Sequence, residues 1–290
     1  MVYQEYLVKS GTFSDTQLAQ LETYRGNVHS IFHRTMNLID ENETLLTLST
    51  DELDAAPQTL QLSNFFPNES IRQGMRVVGG NNCLLVDSKW RFDFKNMVSQ
   101  GIEQPTFFFH SALSSQLVFV TKQIHQKKKE KVGVTAFEQA VYSKLEEVTT
   151  AFEQAILVND KKEIERQINQ LIGLGIGLTP SGDDYLTGFF LVTGMNRYPY
   201  PWVNRLLSEL FSKSAGKTNS ISQTQMKLAL NGQARERLVL FLKEMMQETT
   251  DVQLEKRKEE VLKIGSSSGE DILKGMLAGI KLTIQLGGKK

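Results

Sequence analysis

At 290 residues, with 40% hydrophobic and 23% charged side chains, the chain has a globular composition and enough length for one large core or two smaller ones. Lysine plus arginine equals aspartate plus glutamate at 33 each, which excludes a global field that would recruit nucleic acid or an anionic membrane. Cys83 is the only cysteine, which excludes an internal disulfide and a cysteine-rich metal site and fits a reducing compartment.

The N-terminal stretch carries acidic Glu5 and lacks the long apolar core of a secretory signal. The most apolar segments, such as 185–195, are too short to cross a bilayer. A cytoplasmic protein is expected. From Gly26 to about Phe109, short runs of strand character alternate with turn residues: 28–32, 44–48, 59–62, 75–78, 83–86 and 90–94. The sequence Gly79-Gly80-Asn81-Asn82 between two of these runs signals a hairpin turn. Polar and apolar residues alternate in Arg91-Phe92-Asp93-Phe94, as in a half-buried strand. No helix of crossover length separates the runs, which argues against parallel βαβ units. The expectation for residues 1–120 is an antiparallel β-sheet or small barrel.

Beyond about Ser111 the period becomes helical. Phe137, Val141, Leu145, Val148 and Phe152 recur at three- and four-residue steps, as do Ile164, Ile168, Leu171 and Ile172. Further helices are expected at 202–211, 221–230, 234–246, 252–262 and 271–285. The basic run from Lys127 to Gly133 reads as a solvated loop or helix end, with a polyanion contact as the minority reading. Residues 121–290 therefore form an α-helical domain, and the fold class is α+β.

Within that domain one short pattern is written twice. Thr179-Pro180-Ser181-Gly182-Asp183-Asp184-Tyr185-Leu186-Thr187-Gly188 and Ser266-Ser267-Ser268-Gly269-Glu270-Asp271-Ile272-Leu273-Lys274-Gly275 both fit [ST]-x-S-G-[DE]-D-x-L-x-G, offset by 87 positions (268 − 181). A glycine-rich lead, Gly173-Leu174-Gly175-Ile176-Gly177, precedes the first copy. Each copy reads as a helix start. Thr179 could cap with Pro180 as first helical residue, or Ser181 could cap with Asp184 reaching back. Ser266 or Ser268 could cap the second helix, with Asp271 as reciprocal partner.

A second reading runs beside the capping one. Ser-Gly at a helix start presents backbone amides without a side chain in front, a geometry suited to anions. The carboxylates that follow would repel a bare anion, so hydroxyls, amides and carboxylates together suit a small ligand with anionic and donor groups, or an anion held through Mg²⁺. The sequence itself requires no metal and no cofactor. Gly188 and Gly275 lie well inside their helices, where glycine costs about 1 kcal/mol relative to alanine, so close helix–helix approach is expected. That approach would gather Ser181, Asp183, Asp184, Ser268, Glu270 and Asp271 around one pocket.

Other patterns carry less. Gly173-x-Gly175-x-Gly177 lacks the dinucleotide spacing and follows a helical pattern. Gly216-Lys217-Thr218 lacks the first glycine of a phosphate-binding loop, since Phe211 stands there. His29, His33, His110 and His125 form no metal-ligand helix pair, and no catalytic triad is readable.

The run from Gly173 to Gly188 resembles the signature of a bacterial domain family that includes the H-type subunit of oxamate carbamoyltransferase, encoded with allantoin-degradation genes. Similar stretches are Val28-His29-Ser30-Ile31-Phe32 with Asn37-Leu38 and Pro57, Thr218-Asn219-Ser220-Ile221-Ser222 before Ala229-Leu230-Asn231-Gly232, and residues 264–275. The resemblance implies one subunit of a hetero-oligomeric enzyme, acting beside an acyl-CoA-synthetase-like subunit and a third subunit. The implied reaction interconverts oxalurate plus phosphate with oxamate plus carbamoyl phosphate. It assigns no catalytic residue. On this reading Thr179, Ser181, Gly182, Asp183, Asp184, Ser268, Gly269, Glu270 and Asp271 bind a small anionic amide. The alternative is a non-catalytic scaffold or small-anion-binding module whose repeat only fixes helix packing.

Overall fold

Alternating burial over a few residues at a time builds the strands of the first half. In β1 (Gln4–Gly11), Tyr6 and Val8 are buried while Glu5, Leu7 and Lys9 face out. The computed structural model describes residues 4–13, 15–63, 70–128 and 135–288 and divides the chain into two units, Met1–Glu103 and Gln104–Lys290.

In the first unit, β1 is followed by helix α1 (Asp15–Glu22) and then by β2 (Arg25–Ile31), β3 (Thr35–Asp40), β4 (Leu45–Thr50) and β5 (Thr59–Leu62). After them come β6 (Arg76–Gly80), β7 (Cys83–Val86), β8 (Trp90–Asp93) and the short β9 (Val98–Ser99). The sheet order β5-β4-β3-β2-β6-β7-β8-β1 closes through an antiparallel β1–β5 pairing, with β9 added along β1. The result is an eight-stranded barrel filled by side chains such as Met36, Leu48, Leu60, Leu84 and Phe92. Tyr6 stacks on Phe92 with ring centroids 5.2 Å apart.

The expected barrel is present, but its pairing is mixed. Strand β4 runs parallel to β5, and β1 runs parallel to β8 and β9. A parallel neighbour needs a crossover, and the Thr50–Thr59 connection makes one without a helix. Closure brings β1 beside β8 from far away in sequence, where local connection length has no say. The predicted hairpin joins β6 to β7: Gly80 pairs with Cys83 around Asn81 and Asn82, whose φ values are +53° and +54°, as a two-residue turn of this hand requires.

The second unit is helical: α2 (Leu113–Lys128), α3 (Ala136–Leu157), α4 (Lys161–Leu171), α5 (Ser181–Thr193), α6 (Pro201–Ser214), α7 (Ser220–Leu230), α8 (Glu236–Met245), α9 (Asp251–Leu262) and α10 (Ser268–Gly287). Helix α2 runs to Lys128, and the rest of the basic run lies outside the described residues. Thr135 and Glu138 form a reciprocal capping box at the start of α3. Ile164, Ile168 and Leu171 give α4 its buried stripe.

Helix α5 is buried along its whole length, which marks it as the centre of the unit. Helix α10 crosses it at glycines of both. A Cβ on Gly188 would lie 1.9 Å from the carbonyl oxygen of Ile272, and one on Gly275 would lie 1.9 Å from that of Tyr185. Tyr185 and Ile272 hold the same place in the two motif copies, so the contact is reciprocal. Each helix is also preceded by a helix it touches through its Ser-Gly: a Cβ on Gly182 would meet the Leu171 carbonyl of α4 at 2.1 Å, and one on Gly269 the Val261 carbonyl of α9 at 2.2 Å. The repeat is therefore a duplicated helix–loop–helix whose second helices cross.

Substituting Gly188→Ala or Gly275→Ala forces a methyl group into partner backbone and is expected to destabilise the protein by roughly 1–3 kcal/mol or more. Gly216→Ala, where nothing lies within 4 Å of the added carbon, serves as the control and is expected to leave the melting temperature nearly unchanged. Thermal denaturation of the three variants checks this.

Candidate functional site

The motif hydroxyls and carboxylates do not cap their helices. Pro180 occupies the N-cap of α5 and Ser267 that of α10, and neither contributes a side-chain capping bond. Both capping readings of the sequence are corrected by this. Thr179 Oγ1 instead donates to Asp184 Oδ2 at 3.0 Å and lies 2.9 Å from Ser268 Oγ, so the polar groups tie one helix start to the other. Ser268 also bonds the Asp184 carboxyl. The glycine amides of the two Ser-Gly pairs are not presented bare either. The amide of Gly182 donates to Leu174 O at 2.7 Å and that of Gly269 to Ile264 O at 2.9 Å, because both glycines are pressed onto the preceding helix.

Adjacent carboxylates have separate partners. Asp183 accepts from the Gly173 amide at 2.8 Å and from the hydroxyls of Thr218 and Ser222, binding the glycine-rich lead to the start of α7. Thr187 Oγ1 donates to the Asp183 carbonyl at 2.8 Å. In the second copy, Lys274 Nζ lies 2.8 Å from Glu270 and 3.0 Å from Asp271. Asp183, Asp184 and Asp271 are each no more than 2% exposed, whereas Thr179, Ser268 and Glu270 are half-buried and give the cluster its access to solvent. An open cleft of about 440 Å³ in the same unit, lined by residues such as Trp202, Arg205 and Lys161, is separate from the motif residues.

Burial dominates the electrostatics. It pushes the Asp184 carboxyl up to about 7, with the Asp271 and Asp183 charges adding to the rise and the Ser268 and Thr179 bonds opposing it. Burial also raises Asp183, against the bonds from Thr218, Gly173 and Ser222. For Lys274 burial alone would lower the pKa, but Asp271 and Glu270 hold it above the usual value. Thr179, Ser268 and Asp184 form three mutual contacts, and the two hydroxyl bonds to the carboxyl work against its protonation, so burial and the neighbouring acid charges carry the rise.

Two family models match the chain. Residues 171–280 match the model described as oxamate carbamoyltransferase subunit AllH, and residues 8–100 match the AllH family N-terminal domain. The chain belongs to the AllH family. It is thus a subunit of oxamate carbamoyltransferase, and the matched C-terminal segment holds both motif copies and the crossing of α5 with α10. No solved structure matches the chain. No helix among the described residues is long and apolar enough to cross a membrane.

Within this AllH family chain the structure brings Thr179, Asp184 and Ser268 into one hydrogen-bonded group, with Asp271 close enough for its charge to act on Asp184. Ser181, Gly182 and Gly269 are buried beside the preceding helices. Lys274, Thr218 and Ser222 were missed as site residues. Thr218 and Ser222 lie in a stretch that carries the family likeness, so a signal existed, whereas Lys274 stands where the first copy has Thr187. Among the described residues no group of three or more His, Cys, Asp or Glu is placed to hold a metal ion. In the first unit His29 Nδ1 is 3.1 Å from Ser30 Oγ at a bulge in β2, and in the second unit His110 Nε2 is 3.0 Å from Met245 O.

A carboxyl raised from 3.8 to about 7 in the folded state holds its proton where the unfolded chain has lost it. Its contribution therefore costs stability progressively as pH rises from about 4 to about 7, and is constant above that. The full cost is on the order of 4 kcal/mol. Asp184→Asn cannot titrate, so its melting temperature relative to the unsubstituted protein should improve between pH 4 and pH 8. A pH-independent difference would refute the titration of Asp184 in this window.

Proposed function

We propose that the paired helix starts hold the amide end of the substrate while carbamoyl transfer is completed with the partner subunits. The observation that carries this reading is the Thr179–Asp184–Ser268 group, which joins both motif copies around a carboxyl that titrates near neutrality. The two copies contain four carboxyl groups and one lysine, an excess that disfavours the anionic end of oxamate or oxalurate. Carboxyl and hydroxyl oxygens are the acceptors that an amide NH₂ requires, and a hydroxyl or protonated carboxyl can donate to its carbonyl. The reaction on this reading is oxalurate plus phosphate to oxamate plus carbamoyl phosphate: the C–N bond of the carbamoyl group breaks, a bond from carbon to phosphate oxygen forms, and the departing nitrogen of oxamate takes up the proton that hydrogen phosphate releases. The partners are the acyl-CoA-synthetase-like subunit and a third subunit, and positioning is this chain's contribution.

Reconstitution with those subunits tests the reading through phosphate-dependent carbamoyl phosphate formation from oxalurate. Asp184→Asn, Thr179→Val and Ser268→Ala should each lower the rate roughly tenfold to a hundredfold, the worth of a lost hydrogen bond to a charged or developing group. Assembly and melting near pH 5 should be little changed. If all three variants turn over normally, the motif serves packing alone and the scaffold reading stands.

A further inference from the structure

The glycine-rich lead between α4 and α5 holds hydrogen-bond donors that the fold leaves unspent. No backbone amide from Gly175 to Thr179, nor that of Ser181, has an acceptor among the described residues. The amides on either side are spent: Gly173 donates to Asp183 and Gly182 to Leu174 O. Gly173, Gly175 and Gly177 have φ of +79°, +132° and +105°, while Leu174, Ile176 and Leu178 between them keep negative φ. Alternating hand of this kind lets successive amides line one anion-binding concavity. Gly175 also leaves the Ser181 amide uncovered, since a Cβ there would lie 2.4 Å from that nitrogen. Ser181 supplies a second observation, independent of loop conformation. It is 6% exposed, yet its hydroxyl has no hydrogen-bond partner among the described residues, whereas its counterpart Ser268 is bonded to Thr179 and Asp184. A hydroxyl so nearly removed from water is costly to leave unpaired. Its oxygen is not sealed from solvent, and the Ser181 Cβ lies 3.1 Å from where a Gly175 Cβ would stand, so the hydroxyl sits at the same loop.

We propose that the loop from Gly175 to Ser181 binds the phosphate that receives the carbamoyl group, through its backbone amides and the Ser181 hydroxyl. Phosphate offers more acceptor oxygens than a carboxylate, and the loop offers a row of donors with no acceptor of their own. Lys217 adds a positive charge at the start of the loop: its ammonium bonds the uncharged Asn169 side chain at 2.6 Å, and its carbonyl lies 3.2 Å from where a Gly173 Cβ would stand. The carboxyls nearby oppose an anion less than their number suggests. Asp183 is bonded by the Gly173 amide and by Thr218, and Asp184 keeps its proton up to about pH 7. The assignment rests on the reaction proposed above. It sets the second reactant beside Thr179, which belongs to both the loop and the amide-holding group.

The test uses the full chain with its partner subunits. Initial rates give KM for phosphate and for oxalurate, inorganic phosphate and oxamate are titrated separately into the complex, and melting temperature is followed throughout. Ser181→Ala should raise KM for phosphate roughly tenfold, the worth of a hydrogen bond to a charged group, with KM for oxalurate, oxamate binding and melting temperature unchanged. Gly175→Ala, whose methyl group would cover the Ser181 amide, should weaken phosphate at least as much, and Ser181→Ala decides the matter if that variant folds poorly. Ser212→Ala, which removes an exposed hydroxyl on α6, is the control and should behave like the unsubstituted chain. An ordinary KM for phosphate in Ser181→Ala would overturn the proposal. So would weakened oxamate binding with phosphate binding intact, because the loop would then serve a carboxylate. Asp184→Asn separates the two proposals, since it should slow turnover without changing KM for phosphate. If it turns over normally while Ser181→Ala still raises that KM, only the amide-holding reading falls; if it is slow and Ser181→Ala has an ordinary KM for phosphate, only the phosphate site falls.

Discussion

The reciprocal glycine contact between α5 and α10 is the constraint on which the helical unit depends. Gly188 lies against the Ile272 carbonyl and Gly275 against that of Tyr185, at equivalent places in a duplicated motif. Side chains at either position would hold the helix axes apart. With the axes close, the two helix starts fall within hydrogen-bond reach, and Thr179 Oγ1 meets Ser268 Oγ across 89 positions of chain. The polar group is therefore a consequence of packing as much as of composition. Helix α5 is buried along its whole length, so the carboxyls at its start are buried with it.

Burial then decides the chemistry. A carboxyl in water near a helix N-terminus would be ionised at neutral pH and favoured by the helix dipole. Asp184 is almost wholly removed from water and neighbours other acids, and these effects outweigh two hydroxyl bonds. Asp183, one residue earlier, spends its lone pairs on the Gly173 amide and on Thr218 and Ser222, and so anchors the lead loop. Adjacent acids in one motif thus divide the work: one orders the loop, the other joins the helix starts. The second copy breaks the symmetry with Lys274, which neutralises part of the charge on Glu270 and Asp271.

Much of the first unit was legible because strand period and turn chemistry are local. The β6–β7 hairpin follows from Gly79-Gly80-Asn81-Asn82, and Thr59–Leu62 and Cys83–Val86 appear as strands where short runs of strand character between turn residues placed them. Strands β1 and β3 and helix α1 were not assigned, since exposed Leu7 blurs the alternation of one and α1 has a weak apolar stripe. The parallel pairings could not be read locally, because β1 meets β8 only through closure of the barrel. In the second unit the helices stood out through their period, and of the two readings of the start motif the capping one does not hold. Thr179 and Ser268 are residue types that cap well, but here each has a better partner on the other helix.

The sequence by itself determined the α+β order, the duplicated motif, the need for glycine at positions 188 and 275 and, through the long first motif, the family. All of these depend on residue type and spacing along the chain. Tertiary structure alone decided that Gly182 and Gly269 serve close packing, that Thr218, Ser222 and Lys274 join the cluster, and that Asp184 titrates near neutrality. Hydrogen-bond partners and dielectric surroundings come from segments distant in sequence, and no local pattern encodes which of them will be neighbours.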